Sequence, residues 1–559
     1  MKSRSVLQVV LFLSFAVLAW AVPVKVEPVT APHGMVVAAH PEAAEIGARI
    51  LREGGNAMDA AVAVSLAVGV AEPYGSGLGG KLMLLYHDAA SGRTFAVDGM
   101  DESSLSLDPQ RYRALSEGRR NYGWMSVCVP GLAAALHEAH TRWGQRPWAE
   151  NVAPVVELAR RGFTVLPKTR ELFAERLEKL ENADPAMQRI FLPNGELPVV
   201  GARLPNEDLA KTLEIYACEG ADGFYRGEIA RAIVEASQRG GGILTLEDFA
   251  AYRARVTTPL GIDFRGYRVL SGPPPTSGGA LHLAILKTLE PVEFTPPLRT
   301  AENLDRIGRV WREILPRVQR TVADSPDSRA AFEAMVSPRE IAALRARVEE
   351  LPRAHLEAAE VAEPESVHAS TTHFAVVDRH GNVVCATQSQ SLHFGACVVA
   401  GGIVMNNSMS NFGLNDPENP NFIAPGRRPR STISPTIVLH EGRPVLAIGI
   451  PGASRIPTAV LQSLIDFLVF DRPLAEAIGD TRIHWHNPLQ RGRPQAVEAE
   501  SSLPVDVVKG LRALGWDVSL REAPGTGRHF GGLNAITINS DGSRTGYADP
   551  RRTNAAAGH

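Results

Sequence analysis

The residue of this chain best suited to covalent chemistry is a threonine at the start of a predicted β-hairpin. Residues 370–382 read STTHFAVVDRHGN, and the strands 374–378 and 383–388 flank the turn. If the bond between Ser370 and Thr371 is cut, the new α-amine lies on the same residue as the hydroxyl. Such an amine has a pKa of roughly 7.7–8.0, so near neutral pH it accepts the hydroxyl proton without a histidine. Taken alone, the tract favours an ordinary strand edge, whereas the rest of the chain favours a nucleophile at Thr371.

A pair of small residues before a helix is the second candidate for chemistry. Gly452 and Ala453 precede an apolar helix at 456–468, and Ser454 is the expected N-cap. Small side chains there leave backbone N–H groups unobstructed, and the helix dipole favours negative charge. An oxyanion hole has these requirements, and one of its donors is worth roughly 10²–10³ in rate. A simple tight turn accounts for the same residues, and the local sequence does not separate the two interpretations.

Three further motifs resemble known sites without meeting their requirements. Residues 75–81 read GSGLGGK, but a phosphate-binding loop needs Ser or Thr after Lys81 and the order strand, loop, helix. Here a helix precedes the loop and a strand follows it. Residues 137–140 read HEAH, which is not the zinc-binding H-E-x-x-H. His484 and His486 would share one face of a strand, but no cysteine or acidic pattern accompanies them, so a metal site is not favoured.

The N-terminus has the pattern of a secretory signal peptide, at residues 1–21. Lys2 and Arg4 precede an apolar run at 6–20, and the A-x-A sequence that ends at Ala21 predicts cleavage there. An uncleaved membrane anchor is the alternative, but the run is short for a span. No later segment is apolar enough for a second span. We therefore expect a secreted or periplasmic protein with no membrane span after signal removal.

The composition argues against several classes of partner. With 44% hydrophobic and 21% charged residues, the chain is typical of a globular protein with a large core. A formal net charge of −3 gives no signal for nucleic acid or an acidic membrane surface, and the basic cluster at 427–430 is more typical of a loop. Four cysteines in so long a chain do not form a disulfide framework, and a pairing of Cys385 with Cys397 is left open.

Helical and strand patterns occupy successive blocks of the chain. A helix at 57–70, apolar nearly all round, has Asn56 as its N-cap and Asp59 in a capping box. Residues 131–300 are predicted to be mostly helical. The last third changes to strands and includes a hairpin at 435–448. Hairpins with helices before and after them predict stacked layers, with sheets inside and helices outside.

Nine ordered motifs together identify a family. They are GGNAMDAA (54–61), EP (72–73), FYRG (224–227), PPPTSGG (273–279), TTHF (371–374), NN (406–407), RPRS (428–431), SPT (434–436) and PGASR (451–455). This set resembles the gamma-glutamyltransferase family of N-terminal-nucleophile hydrolases over nearly all of the chain after the signal. The resemblance implies an α/β fold, the four-layer αββα sandwich, and self-cleavage between Ser370 and Thr371. It also implies a large subunit (22–370) and a small subunit (371–559) that stay associated, acting on a small-molecule amide or peptide without a metal or organic cofactor.

The resemblance also assigns catalytic roles, residue by residue. Thr371 corresponds to the nucleophile, with its freed amine as the base. Ser389 matches a hydroxyl residue that helps to hold the nucleophile. Gly452 and Ala453 match a glycine pair whose amides form the oxyanion hole, and an alanine still supplies its N–H.

The residues that bind the carboxylate of the acyl group in the family are only partly present in this chain. Ser431 and Thr432 match two hydroxyl residues that would touch the carboxylate of the acyl group. The family's arginine, in a stretch that reads D-F-R-E, is replaced by Met100. Lys81 lies in a glycine turn that is one residue shorter than the family's. Its side chain either replaces the missing positive charge or points to solvent, and we favour solvent.

The ammonium side of the pocket departs further from the family. An asparagine, a glutamine and an aspartate hold the α-ammonium there, and Ser391, Ser408 and Asn411 stand at those positions. Each missing charge-assisted hydrogen bond is worth roughly 1.5–3 kcal/mol, so we expect γ-glutamyl compounds to be poor substrates. Acyl amides that lack the α-ammonium should be better. Two alternatives stay open, namely the ordinary action on γ-glutamyl compounds such as glutathione and an unprocessed homologue that only binds ligands.

Overall fold

The computed structural model describes residues 25–350, 369–487, 495–521 and 528–559. The predicted signal peptide at 1–21 lies outside these ranges, as does most of the polar segment before Thr371. Among the described residues, no helix is long and apolar enough to cross a membrane.

The strands of the described ranges supply two large sheets and three small ones. They are β1 (Pro28–Ala31), β2 (Met35–Ala38), β3 (Lys81–Asp88), β4 (Arg93–Gly99), β5 (Phe163–Thr164), β6 (Arg203–Leu204), β7 (Arg255–Thr257), β8 (Leu260–Phe264), β9 (Tyr267–Ser271), β10 (Ala369–Val377), β11 (Val383–Leu392), β12 (Val399–Ala400), β13 (Ile403–Val404), β14 (Thr436–His440), β15 (Arg443–Gly449), β16 (Ile483–Trp485), β17 (Ala496–Glu500), β18 (Asp517–Arg521), β19 (Asn534–Ile538), β20 (Arg544–Ala548) and β21 (Ala555–Gly558).

The α-helices of the same ranges fall mainly before the strand-rich last third. They are α1 (Pro41–Arg52), α2 (Ala57–Ala71), α3 (Pro109–Arg113), α4 (Glu117–Asn121), α5 (Leu132–Trp143), α6 (Trp148–Arg161), α7 (Pro167–Ala174), α8 (Leu177–Glu181), α9 (Pro185–Phe191), α10 (Glu207–Tyr225), α11 (Glu228–Arg239), α12 (Leu246–Ala251), α13 (Ser277–Leu289), α14 (Ala301–Thr321), α15 (Ser328–Met335), α16 (Pro338–Glu350), α17 (Ile456–Leu468), α18 (Leu474–Gly479) and α19 (Val505–Ala513).

Two antiparallel seven-stranded sheets face each other at the centre of the molecule. The front sheet has the order β21-β2-β10-β11-β3-β4-β7, and the back sheet has the order β1-β20-β19-β15-β14-β9-β8. Between them lies an apolar layer in which Val37 and Ala375 of the front sheet join Ile437 and Ala447 of the back sheet. The alternation of inward and outward side chains along each strand produces this layer.

Helices cover the outer face of each sheet and complete four layers. Helices α1, α2 and α5 contact the front sheet, and α13 and α17 contact the back sheet. Helix α2 is buried along almost its whole length, and its N-terminus has the predicted capping box between Asn56 and Asp59. The predicted αββα sandwich is therefore confirmed. The expectation of a mostly helical 131–300 is confirmed by α5 to α13, although β5 to β9 also lie in this range and the hairpin β8–β9 forms an edge of the back sheet.

Candidate active site

Thr371 lies at an irregularity in the pairing of two central strands of the front sheet. Ser370 pairs with Ser391 and Thr372 with Gln388, so that Thr371 stands opposite two residues instead of one. Such a bulge changes the direction of a side chain and is common beside functional sites. The Thr371 hydroxyl donates a hydrogen bond of 3.1 Å to the Ser389 hydroxyl.

A buried carboxylate fixes the backbone next to Thr371. Glu72 accepts a hydrogen bond of 2.8 Å from the Thr372 hydroxyl, and its other oxygen accepts from Tyr74 and Thr553 at 2.7 Å each. The carbonyl oxygen of Thr371 accepts from Arg552 at 3.3 Å. In the sequence, Glu72 stands out only as part of the EP motif at 72–73, and Arg552 belongs to none of the nine motifs. Their contacts to Thr372 and Thr371 join residues 300 and 181 positions apart in the chain, so no local signal marked them.

Gly452 and Ala453 occupy left-handed backbone conformations just before a helix. Their φ angles are +148° and +54°, and the second is unusual for a residue with a side chain. A 3₁₀ turn at Ala453–Arg455 then leads into α17. Within the described ranges, neither N–H donates a hydrogen bond to a protein acceptor. Two N–H groups in this position can stabilise an oxyanion.

The expected N-cap of this helix is wrong. Arg455, not Ser454, occupies the cap position of α17, and no side chain supplies the capping hydrogen bond. The intervening 3₁₀ turn explains the shift by one residue. The Thr432 hydroxyl instead donates 2.9 Å to the carbonyl of Ala453, which holds this turn beside the segment that precedes β14.

One cavity of about 420 Å³ brings most of the candidate residues together. The predicted site residues on its wall are Lys81, Thr371, Ser389, Ser391, Asn411, Ser431, Thr432 and Ala453. Three predicted residues are not on the wall. Gly452 directly precedes Ala453, Ser408 lies behind Lys81, and Met100 is fully buried in the apolar layer beneath the back sheet's helices.

The favoured solvent position of Lys81 is wrong. Its side chain is 1% exposed, and β3 places it directly opposite Ser389 of β11. The ammonium donates to Ser391 at 2.5 Å and to Ser408 at 2.7 Å, and lies 3.7 Å from Asp101. We call Lys81, Asp101, Ser391 and Ser408 the lysine corner.

Lys81 and Asp101 of the lysine corner compensate each other's charge, and burial shifts the pKa of both. Burial raises the pKa of Asp101 to about 7, although the Lys81 ammonium and the Ser408 hydroxyl oppose the shift. Burial lowers the pKa of the Lys81 ammonium, and the Asp101 carboxylate opposes that shift. The Ser408 hydroxyl donates to the Asp101 carboxylate at 2.5 Å, and Asn411 donates to Ser391 at 3.0 Å. The polar groups here therefore mainly satisfy one another.

The cavity is also lined by apolar and aromatic side chains. Trp311, Leu315 and Val318 of α14 line it together with His484 and His486. Sequence reasoning considered these two histidines only as metal ligands. In the described ranges, no group of three or more His, Cys, Asp or Glu side chains has an arrangement that could hold a metal ion.

An acidic residue outside the cavity lining, Glu498, contacts several basic side chains. Glu498 accepts from Arg455 at 2.9 Å, from Arg521 at 2.7 Å and from His529 at 2.8 Å, and His486 lies 3.4 Å away. Burial raises the pKa of Glu498, but the hydrogen bonds from His486 and His529 and the nearby arginines outweigh it and hold that pKa well below its usual range.

The four cysteines are free thiols, which settles the open pairing. Cys385 lies in the layer between the sheets and contacts the carbonyls of Thr436 and Ile448. Cys397 belongs to the separate core between the front sheet and its helices. Burial raises the pKa of both thiols, to about 12 for Cys385 and about 11 for Cys397, so neither is a reactive thiolate.

Comparisons with known proteins give a consistent result. The family model described as Gamma-glutamyltranspeptidase matches residues 43–559. The chain is 32% identical over 550 residues to the glutathione hydrolase proenzyme of Escherichia coli (strain K12), covering 94% of this chain and 91% of that one. It is 33% identical over 536 residues to the acylase ACY 1 proenzyme of Pseudomonas sp. (strain SE83), covering 93% of each. The crystal structure of cephalosporin acylase from Bacillus halodurans superposes with a TM-score of 0.86 at 28% identity, covering 98% of this chain and 99% of that one.

Proposed function

Because this chain belongs to the gamma-glutamyltranspeptidase family, an enzyme family of amide hydrolases and acyltransferases, we propose that it is a self-processing amidohydrolase with Thr371 as its nucleophile. One observation carries the proposal. The Thr371 hydroxyl, hydrogen-bonded to Ser389, lines the same cavity as Ala453, whose N–H donates to no protein acceptor of the described ranges. Nucleophile and oxyanion donor are thus available to one substrate carbonyl.

The mechanism follows from cleavage before Thr371. The freed α-amine accepts the proton of the Thr371 hydroxyl as its oxygen forms a bond to the amide carbon. The N–H groups of Gly452 and Ala453 stabilise the resulting oxyanion. Collapse breaks the C–N bond, and the leaving amine takes the proton from the α-ammonium. Water or an amine then attacks the acyl-enzyme and releases Thr371 in its original form.

The polar groups of the cavity favour an acylase-like substrate. No aspartate or glutamate is among the described residues that line it. Asp101 and Glu498 contact lining residues but lie behind Lys81 and Arg455, and both acids are buried. An α-ammonium would therefore enter without a carboxylate partner, at a cost of roughly 1.5–3 kcal/mol. We propose an acyl amide without that ammonium as the preferred substrate, and γ-glutamyl compounds such as glutathione as the second candidate.

The processed form would consist of a large subunit, 22–370, and a small subunit, 371–559. Strands β10 and β11 of the small subunit pair with β2 and β3 of the large one, and such ladders would hold the subunits together after cleavage. Removal of the predicted signal peptide and a secreted or periplasmic location belong to the same proposal. Curated relatives that bear the name proenzyme support a precursor that is processed.

A denaturing gel with N-terminal sequencing tests the processing. We expect wild-type protein to give two bands, the smaller beginning at Thr371. Thr371→Ala should stay one chain without activity, whereas Thr371→Ser, the matched control, keeps a hydroxyl and should still be cut. A wild-type chain that stays intact and only binds ligands would identify a non-catalytic homologue. An intact chain that hydrolyses amides would refute the mechanism.

Kinetics on two anilides test the substrate class. Glutaryl anilide and γ-glutamyl anilide differ only in the α-ammonium. We expect glutaryl anilide to have the higher kcat/KM, by about one to two powers of ten. A clear preference for the γ-glutamyl compound would favour the second candidate, action on γ-glutamyl compounds such as glutathione.

A further inference from the structure

Three lysine or arginine side chains of the described ranges line the cavity, and they differ in how their charge is compensated. Lys81 lies 3.7 Å from Asp101, and Arg455 donates to Glu498 at 2.9 Å. Arg430 forms no salt bridge with any described residue, and its guanidinium contacts only neutral oxygens. A largely desolvated cation without a carboxylate is costly unless another group supplies negative charge.

The end of a helix supplies part of that charge. Arg430 Nε donates 2.7 Å to the carbonyl of Val322, and Nη2 donates 2.6 Å to the carbonyl of Gln319. These carbonyls belong to the C-terminal end of α14, where unsatisfied oxygens and the helix dipole favour a cation. This explains how Arg430 is held in one orientation without an acidic partner.

One end of the guanidinium is left for a ligand. Nη2 also contacts the Asn419 side chain at 3.3 Å, but Nη1 donates to no acceptor of the described ranges. Arg430 is on the cavity wall beside Ser431. Burial lowers the pKa of Arg430 to about 10, so the side chain remains charged at neutral pH. A fixed guanidinium with free N–H groups suits a carboxylate better than an ammonium would.

We propose that Arg430 determines specificity by binding a carboxylate of the substrate, an inference that rests on the proposed amidohydrolase function. The carboxylate belongs either to the acyl chain or to the leaving amine, since both portions of an amide occupy the same cavity. In either case the substrate is an anionic amide, and Lys81, already compensated by Asp101, is not its partner.

Four anilides in a two-by-two design separate these sources. The acyl group is glutaryl or pentanoyl, and the leaving amine is aniline or 4-aminobenzoate. We expect kcat/KM in the wild type to rise by about 10- to 100-fold when one of the two carboxylates is present. Arg430→Met should remove this preference, whereas Arg430→Lys should keep part of it.

Arg345 offers a matched control. Like Arg430 it is partly buried and donates through Nε and Nη2 to backbone carbonyls, those of Thr288 and Lys287, but it does not line the catalytic cavity. Arg345→Met should leave the preference unchanged. Appearance of the two bands on a gel reports that each variant has folded and been cut.

Two kinetic results would overturn the inference. One is a correctly processed Arg430→Met that keeps the wild-type carboxylate preference. The other is a wild type that hydrolyses all four anilides equally, which leaves the amidohydrolase proposal intact. If none is hydrolysed, that proposal fails separately, and calorimetry with glutarate and 4-aminobenzoate still decides the role of Arg430. Binding of neither acid, or binding that Arg430→Met does not weaken, would contradict it.

Discussion

Lys81 and Arg430 line the same cavity, but different groups compensate their positive charges. The Lys81 side chain is 1% exposed. It donates hydrogen bonds to two serine hydroxyls and forms an ion pair with the Asp101 carboxylate. Arg430 is held by backbone carbonyls at a helix end. The polar groups around Lys81 bind one another, whereas Arg430 keeps N–H groups available to a ligand.

A positive charge on the wall of this cavity therefore does not by itself mark a substrate anchor. A buried ion pair such as Lys81 with Asp101 stabilises mainly by avoiding an uncompensated charge. A cation held by dipoles retains most of its attraction for an anion. The two positions should therefore respond differently to substitution, Lys81 in stability and Arg430 in substrate preference.

The largest expected effect is the loss of stability in Lys81→Met. Removal of the ammonium leaves the Asp101 carboxylate buried with only hydrogen bonds from Ser408 and the Gly131 N–H. Breaking a buried pair on one side costs roughly 3–5 kcal/mol in the free energy of unfolding. Urea unfolding at about pH 8 to 9, above the folded-state pKa of Asp101 of about 7, measures it, because the wild-type carboxylate is ionised there.

A double variant serves as the control for that loss. Lys81→Met combined with Asp101→Asn removes both charges and should recover most of the stability. If the single variant is as stable as wild type, the pair is not structural, and Lys81 becomes a competitor of Arg430 for the substrate.

The second prediction concerns the pH dependence of the same corner. Because the folded-state pKa of Asp101 is raised to about 7, the folded protein binds its proton more tightly than the unfolded chain. This group therefore makes stability fall as pH rises from about 4 to about 7, by at most roughly 1.4 kcal/mol per pH unit.

Lys81→Met should extend the decrease in stability to higher pH. Without the ammonium the pKa of Asp101 rises further, so stability continues to decrease above about pH 7. The difference in melting temperature between wild type and Lys81→Met should widen between about pH 7 and pH 8. A constant difference over this range, or a widening that persists in the double variant with Asp101→Asn, would contradict the assignment to Asp101.

Much of the fold that positions the lysine corner and Arg430 is predictable from local sequence. The hairpin at 374–388 and the capping box at Asn56 rest on periodicity and turn chemistry within a few residues. Strands β1 and β21 are different, because each is four residues long and pairs with a segment about 500 residues away. Short strands of this kind carry too little periodic signal to be recognised alone.

The candidate site divides in the same way. Thr371 and the pair Gly452-Ala453 lie in motifs whose chemistry can be argued locally. The burial of Lys81 depends on Ser408 and Asp101, which other segments bring to it, so the sequence favoured the wrong position. Arg430 stood in a basic cluster typical of a loop, and its place beside Ser431 was the only local signal of a role.

The smallest expected effect is on stability in Arg430→Met, and it sharpens the contrast with Lys81. The substitution leaves no carboxylate of the described residues without its ion-pair partner. It removes donors from the carbonyls of Gln319 and Val322 and a favourable charge at the C-terminus of α14. These losses amount to about 1–2 kcal/mol, below the roughly 3–5 kcal/mol expected for Lys81→Met. Parallel urea unfolding of both variants and of the control Arg345→Met measures the order. A loss in Arg430→Met as large as that in Lys81→Met would mean that Arg430 has a structural counter-charge, and its free end would no longer be expected to select an anionic substrate.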